Sequence, residues 1–319
     1  MNVEQFKEKK ILVTGASGFV GKNLVEELQR KGFTNLLTPT STEVDLTREN
    51  DVRGYFQLHQ PQIVLHIAGL VGGIAANKAR PAEFFYKNAM MSVLINHYSY
   101  VNGVEKLVSL AAGCGYPKEI PVPFSEDDFW NGLPDMNSYG YSLAKKNLVI
   151  GGWAYREQYG FNTTVLLPAN LYGPYDNFNP TNAMVVPSLI RKANENDVLD
   201  VFGDGTAVRD FIFADDVARG MIFAVENKII QPLNLGSGKK HTIGDVVDLV
   251  TKHSSRDNTV KYNPSGIKGD DIRLFDMTRA NSYGFEPQTS LEEGIKLTTE
   301  WYLNNKDILD KRYNPFVNH

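Results

Sequence analysis

The chain has 319 residues, 42% apolar and 22% charged, a composition that suits one large α/β unit plus a smaller lobe. Its net charge of −4 argues against a nucleic-acid binder, and a single cysteine excludes an internal disulfide and fits a reducing compartment. Residues 1–8 carry no apolar signal core, and the longest apolar stretch, around 63–76, is too short and glycine-broken to span a membrane, so a cytoplasmic protein is expected.

Ile11-Leu12-Val13-Thr14 reads as a short buried strand and Lys22 to Lys31 as a helix. Val20, Leu24 and Leu28 line one face of that helix, and Gly32 sits where a C-terminal cap belongs. Between strand and helix lies Gly15-Ala16-Ser17-Gly18-Phe19-Val20-Gly21. Glycine there lets the backbone turn sharply and lets a pyrophosphate approach, while the helix start offers free N–H groups and the positive end of its dipole. The G-x-x-G-x-x-G spacing is a variant of the dinucleotide fingerprint.

An acid about 20 residues after such a turn usually meets the ribose 2′-hydroxyl. Here a second strand near Leu36-Leu37 runs into Thr38-Pro39-Thr40-Ser41-Thr42, with no acid before Glu43. Hydroxyl and backbone N–H donors suit a 2′-phosphate better than a carboxylate would. NADP is therefore expected over NAD, although no arginine stands there to settle the choice.

Helical and strand-like runs then alternate: Arg48 to Leu58 (helix), Ile63 to Ile67 (strand), Ala82 to Val101 (helix) and Lys106 to Ala111 (strand). Asn137 to Tyr159 is helical again and Thr163 to Leu167 a strand. Alternation of this kind predicts an α/β fold, a doubly wound parallel-sheet Rossmann domain with ligands at the carboxyl ends of its strands. Those ends carry Gly15, Ala68-Gly69, Ala112-Gly113-Cys114 and Pro168-Ala169-Asn170. His66, inside a strand, reads as a satisfied core residue; the six histidines show no metal-ligand spacing, and no metal is expected.

Tyr141 and Lys145 stand four residues apart in the second long helix, so phenol and ammonium share a face. A phenol normally ionises near pH ~10. A neighbouring cation is expected to favour the phenolate and bring that value down. Such a phenol can give a proton to a carbonyl oxygen while hydride arrives at carbon.

From Tyr172 onward the texture changes. Gly173 to Pro180 is turn-rich and polar, like a binding loop, and Val185 to Asn194 is a short helix bearing Arg191 and Lys192. Phe211 to Asn227 and Leu233 to Gly238 return to the large domain, and a capping box at Ser290 to Glu293 opens a last helix. The expected division is residues 1–176 plus about 211–238 for the dinucleotide domain. A smaller mixed α/β substrate domain takes 177–210 plus about 239–319. Asp215 and Asp216 read as structural caps.

These residues resemble the extended short-chain dehydrogenase/reductase family, and within it the GDP-L-fucose synthase branch. The resemblance covers nearly the whole chain. It rests on Val71 to Asn77, Cys114-Gly115-Tyr116-Pro117, Tyr141 with Lys145, Asn170 to Phe178, and Phe202 to Phe211. It implies NADPH/NADP as cofactor, a GDP-linked 4-keto sugar as substrate, and a homodimer built on the helices from Ala82 and Asn137. Along the cofactor it places Gly15, Ser17, Gly18, Phe19, Val20, Gly21, Thr40, Ser41, Asp45, Ala68, Lys145, Pro168, Asn170 and Leu171. Along the substrate it places Cys114, Tyr141, Asn170, Met184, Val185, Arg191, Phe202 and Arg209. Arg191 and Arg209 would face the diphosphate, because a planar guanidinium grips phosphate oxygens in pairs; Arg191 reads equally well as a solvated helix residue.

Two departures from the family pattern stand out. Where members carry a serine that hydrogen-bonds the substrate oxygen, this chain has Ala112. Loss of such a donor ordinarily costs about 10²–10³ in rate, and Ser109 upstream is not expected to reach. Members also pair a cysteine with a histidine to invert carbons beside the ketone. Cys114 is present, but Met184 stands at the histidine position, and a thioether cannot carry a proton. Tyr141, Lys145 and Cys114 are thus the catalytic candidates, with Cys114 either an acid/base or a small buried hydrophobe.

The expectation is an NADPH-dependent C4-keto reductase of a GDP-4-keto-6-deoxy-hexose or GDP-4-keto-heptose in surface-polysaccharide biosynthesis, with C3/C5 epimerisation weakened or lost. A complete epimerase/reductase is the alternative, and a dinucleotide-binding sensor without turnover a third.

Overall fold

A computed structural model describes residues 4–264 and 271–309. Its centre is a six-stranded sheet: β1 (Ile11–Thr14), β2 (Leu36–Leu37), β3 (Ile63–His66), β4 (Lys106–Leu110), β5 (Thr163–Pro168) and β6 (Leu233–Leu235). The strands are all parallel, in the order β6-β5-β4-β3-β1-β2. Strands β1, β3, β4 and β5 are buried along their whole length. Continuous apolar runs are what a sheet covered on both faces requires. The chain turns one way from β1 to β2 and the other way to β3, so the switch point, where open α/β sheets bind ligands, lies at the ends of β1 and β3.

The described helices of eight or more residues are α1 (Phe19–Arg30), α2 (Glu49–His59), α3 (Pro81–Val101), α4 (Tyr139–Tyr159), α5 (Val185–Glu195), α6 (Ala214–Glu226), α7 (Ile243–His253) and α8 (Leu291–Leu309). Helix α1 starts three residues earlier than its apolar pattern predicts, because Gly18 is already the N-cap. It stops at a Schellman-type turn: Gly32, at φ +85°, donates to Gln29 O at 2.9 Å and Phe33 to Leu28 O at 2.9 Å. Half of the expected capping box before α8 is present, as the Ser290 hydroxyl accepts from Glu293 N–H at 3.2 Å.

Two hydrophobic clusters form. The larger packs the six-stranded sheet against its helices and also takes Phe275, Met277, Ala280 and Phe285, from a stretch assigned to the smaller lobe on sequence. The smaller is built on α5, α7 and α8, with Leu199 and Val201 from a parallel two-stranded ribbon, Val198–Phe202 with Thr259–Asn263. Between the clusters lies a second parallel ribbon, Asn170–Tyr172 with Phe211–Phe213. Alternation serves both sides: Ile212 enters the larger cluster, Phe211 and Phe213 the smaller. Asp216, at the start of α6, accepts from Gln288 N–H at 2.7 Å and Thr289 N–H at 3.0 Å, and so ties the connection before α8.

Candidate active site

Gly15 has φ +75°, and a Cβ there would lie 2.9 Å from the backbone of Ala68 at the end of β3. At Gly21 a Cβ would meet Gly15 O at 2.0 Å, and at Gly18 the same oxygen at 3.2 Å. All three glycines are needed for the backbone to close this tightly. Gly18 caps α1 with no side-chain hydrogen bond, which leaves the helix start to a ligand. The turn therefore fits a dinucleotide pyrophosphate; Ser17 is exposed on it, whereas Val20 enters the core and Phe19 packs against that core.

From Ala68 the path continues to Lys145 on α4, the helix that also carries Tyr141. Gly69 leaves room for Lys145, whose Nζ would be 3.0 Å from a Cβ at that position, and for Asn88 Oδ1 at 3.1 Å. Asn88 in turn clamps Leu70, accepting its N–H at 3.1 Å and donating to its carbonyl at 3.0 Å. Lys145 is almost fully buried and donates to Leu110 O, at the end of β4, at 3.3 Å. Burial brings its ammonium down to about 8.

Tyr141 departs from expectation. Burial, and secondly the neighbouring Cys114, raise its phenol well above the usual value instead of lowering it. The loss of water sets the direction of the shift. Phe84 packs edge-on against the ring at 6.4 Å.

Cys114 lies in a 3₁₀ turn, Gly113–Gly115, and its thiol is also raised, chiefly by burial. Ser142 donates to Cys114 Sγ at 3.3 Å and lies 3.1 Å from Ser138, the N-cap residue of α4. Arg273 donates to Gly113 O at 3.1 Å and favours the thiolate of Cys114. Arg273 sits in register with Arg209 on the neighbouring strand, which is paired in turn with His241. Sequence reading missed Ser142, Asn88 and Arg273. Only the position of Ser142 beside Tyr141 offered a signal.

Ala112 is buried. A Cβ at Gly113 would meet both Pro168 O and the Phe275 ring at 2.5 Å, so no side chain fits there. Ser109 is buried in β4, in register with His66. His66 receives or gives a 2.8 Å hydrogen bond with Thr14, and burial brings it to about 3, so it is neutral and structural.

Met184 is the N-cap of α5 and half exposed, followed by exposed Val185; Phe202 is exposed as well. Asn170 donates through its side chain to Asp210 O at 2.8 Å, and Leu171 follows it on the ribbon between the clusters. Arg191 pairs with Glu195 at 2.6 Å, and Arg209 donates to its neighbour Val208 O at 2.8 Å. On the far side, Thr40 gives its N–H to Glu43 at 2.7 Å and its hydroxyl to the same oxygen at 2.8 Å. Ser41 is exposed beside it, and Asp45 is held by Thr47 at 2.7 Å and Arg48 at 3.3 Å.

A family model described as the NAD dependent epimerase/dehydratase family matches residues 11–236. GDP-L-fucose synthase 1 of Arabidopsis thaliana is 35% identical over 305 residues, covering 94% of each chain. GDP-L-colitose synthase of Yersinia pseudotuberculosis is 32% identical over 93% of this chain and 99% of its own. Among solved structures, the Campylobacter jejuni GDP-mannoheptose C4 reductase MlghC, with NADP bound, superposes with a TM-score of 0.85. It is 30% identical over 93% of this chain and 99% of that one.

Proposed function

The chain belongs to the NAD dependent epimerase/dehydratase family, and from that premise we propose that it is an NADPH-dependent C4-keto reductase of a GDP-4-keto-6-deoxy-hexose or GDP-4-keto-heptose. The observation that carries the reading is the continuous contact from Gly15 to Ala68, Gly69 and Lys145, which joins the dinucleotide turn to the Tyr141 helix. The C4 reductase activity in the name of a similar structure supports the reaction class.

The reduced nicotinamide, when bound, supplies the hydride. Tyr141, kept protonated by its surroundings, gives its proton to the C4 oxygen. Lys145 would hold the ribose and steady the phenolate that Tyr141 leaves behind. Met184 supplies no proton, which supports weak or absent inversion at C3 and C5.

Mixing protein, NADPH and the 4-keto sugar nucleotide tests this: absorbance of the reduced cofactor should fall, and NMR of the product should show a new C4 hydroxyl. An unchanged absorbance would leave a binding protein without turnover.

A second reading, a complete epimerase/reductase, is favoured by Cys114, whose thiol is hydrogen-bonded by Ser142 and lies near Arg273. Solvent deuterium decides between them. Rapid uptake at C3 or C5 in D₂O without NADPH would establish the second reading and overturn the first.

A homodimer is part of the proposal. Helices α3 and α4 pack together yet leave Tyr86, Val93, Ile150 and Trp153 exposed, an apolar face suited to a second copy.

A further inference from the structure

The segment between the ribbon strand Asn170–Tyr172 and α5 leads from the dinucleotide domain into the smaller lobe. Within it Tyr175 has φ +67°, a left-handed conformation that a bulky residue keeps only where its surroundings impose it. Those surroundings come from two sides. The Tyr175 hydroxyl bonds to Glu26, and the Lys22 ammonium lies 5.0 Å from the ring centroid, both residues belonging to α1. Trp301 of α8 packs edge-on against the same ring at 5.0 Å.

The neighbours of Tyr175 repeat this arrangement. Asn23, buried on α1, donates to Pro174 O and to Phe19 O, in the first turn of the helix, each at 2.9 Å. Phe178 stacks on Trp301 at 6.0 Å and belongs to the smaller cluster. One end of the segment is thus fastened to the helix whose start fits the pyrophosphate, and the other runs to Met184 and Val185 at the start of α5. A ligand that holds the start of α1 and a ligand that holds the start of α5 favour the same strained segment. Each leaves less ordering for the other to supply, and such coupling is reciprocal.

Resting on the dinucleotide and sugar-nucleotide reading above, we infer that Tyr175 is a positioning residue that couples the two ligand sites, so that bound dinucleotide tightens the sugar nucleotide and the reverse.

Calorimetric titration of GDP into the protein, alone and saturated with NADP⁺, reads this coupling as the ratio of two Kd values. The wild-type ratio should be about tenfold in favour of the NADP⁺-loaded protein. Tyr175→Phe keeps the ring against Trp301 but loses the bond to Glu26, and should bring the ratio to about threefold or less. Tyr175→Gly keeps the backbone conformation without the side chain and should abolish the difference. A residue that only stabilised the fold would weaken GDP equally in both titrations and leave the ratio alone. A wild-type ratio below about twofold, or a ratio retained in full by either variant, would overturn the inference, and Tyr175→Phe decides it if the glycine variant does not fold. Failure of GDP or NADP⁺ to bind at all would overturn the functional reading as well, whereas binding of both without coupling would overturn this inference alone.

Discussion

At Tyr141, burial and Cys114 keep the proton on the phenol, so the group is ready to donate before a carbonyl oxygen arrives. Removing that proton source should be costly: Tyr141→Phe is expected to lower kcat by about 10²–10⁴ with little change in NADPH affinity. Stopped-flow absorbance with calorimetry would separate the two quantities. Lys145 works in the other direction. Burial lowers it to about 8, so its positive charge is present below that pH and lost above it. Turnover should therefore decline as pH rises through about 8, and a pH–rate profile reads this directly. The placement of these two residues on one helix was legible in the sequence because a four-residue spacing fixes a shared helix face. The direction of the phenol's shift was not, because it depends on how much water the rest of the fold excludes. The same holds for Arg273, whose contact with Gly113 is set by packing and not by spacing.

At the scale of elements, β1, β3, β4 and β5 are the runs the sequence marks, since a strand buried on both faces is mostly apolar and its few polar residues sit near the strand ends. The start of α1 was harder to see: Phe19 and Val20 belong to the helix although they sit inside the glycine turn. That overlap is the reason Gly21 packs on Gly15 O so tightly. Gly21→Ala should push α1 off β1, lowering stability by about 1–3 kcal/mol and weakening dinucleotide binding. Urea denaturation and titration would measure both.

Strand pairing at the other end of the sheet rests on Lys106, buried in β4. Its Nζ donates to Thr164 Oγ1 at 2.7 Å and to Asn162 Oδ1 at 3.0 Å. Burial, reinforced by Arg156, lowers it from 10.5 to about 7. The unfolded chain then binds more protons between about 7 and 10.5, so stability rises with pH across that window. Below about 7 the lysine is charged in both states and its contribution is constant. Lys106→Met should flatten the rise, as read from urea midpoints at pH 7 and 9.

For the whole molecule, the ribbon between the two clusters is the joint, and Asp210 is its pin. Fully buried, Asp210 accepts Ser237 N–H at 2.7 Å, Ser237 Oγ–H at 2.7 Å and Gly238 N–H at 3.1 Å. Its own carbonyl accepts from Asn170. Asp210→Ala would strand those donors and is expected to cost about 3 kcal/mol or more. No sequence pattern announces such a joint, because its bonds link segments far apart in the chain. The proposed dimer belongs to this scale too. Ile150→Arg should leave the chain folded but shift its sedimentation to that of a monomer.

The crowding at Gly113 also constrains the protein's possible histories. Phe275 and the Pro168 carbonyl occupy the space a side chain would need, so a hydroxyl cannot be recovered at that position without dismantling the wall behind it. The alanine one residue earlier already carries a Cβ, and every alanine codon lies a single base from serine. If reduction by this chain is slow for want of a second donor, the repair is one mutation away, and its absence then speaks for a substrate that does not need it.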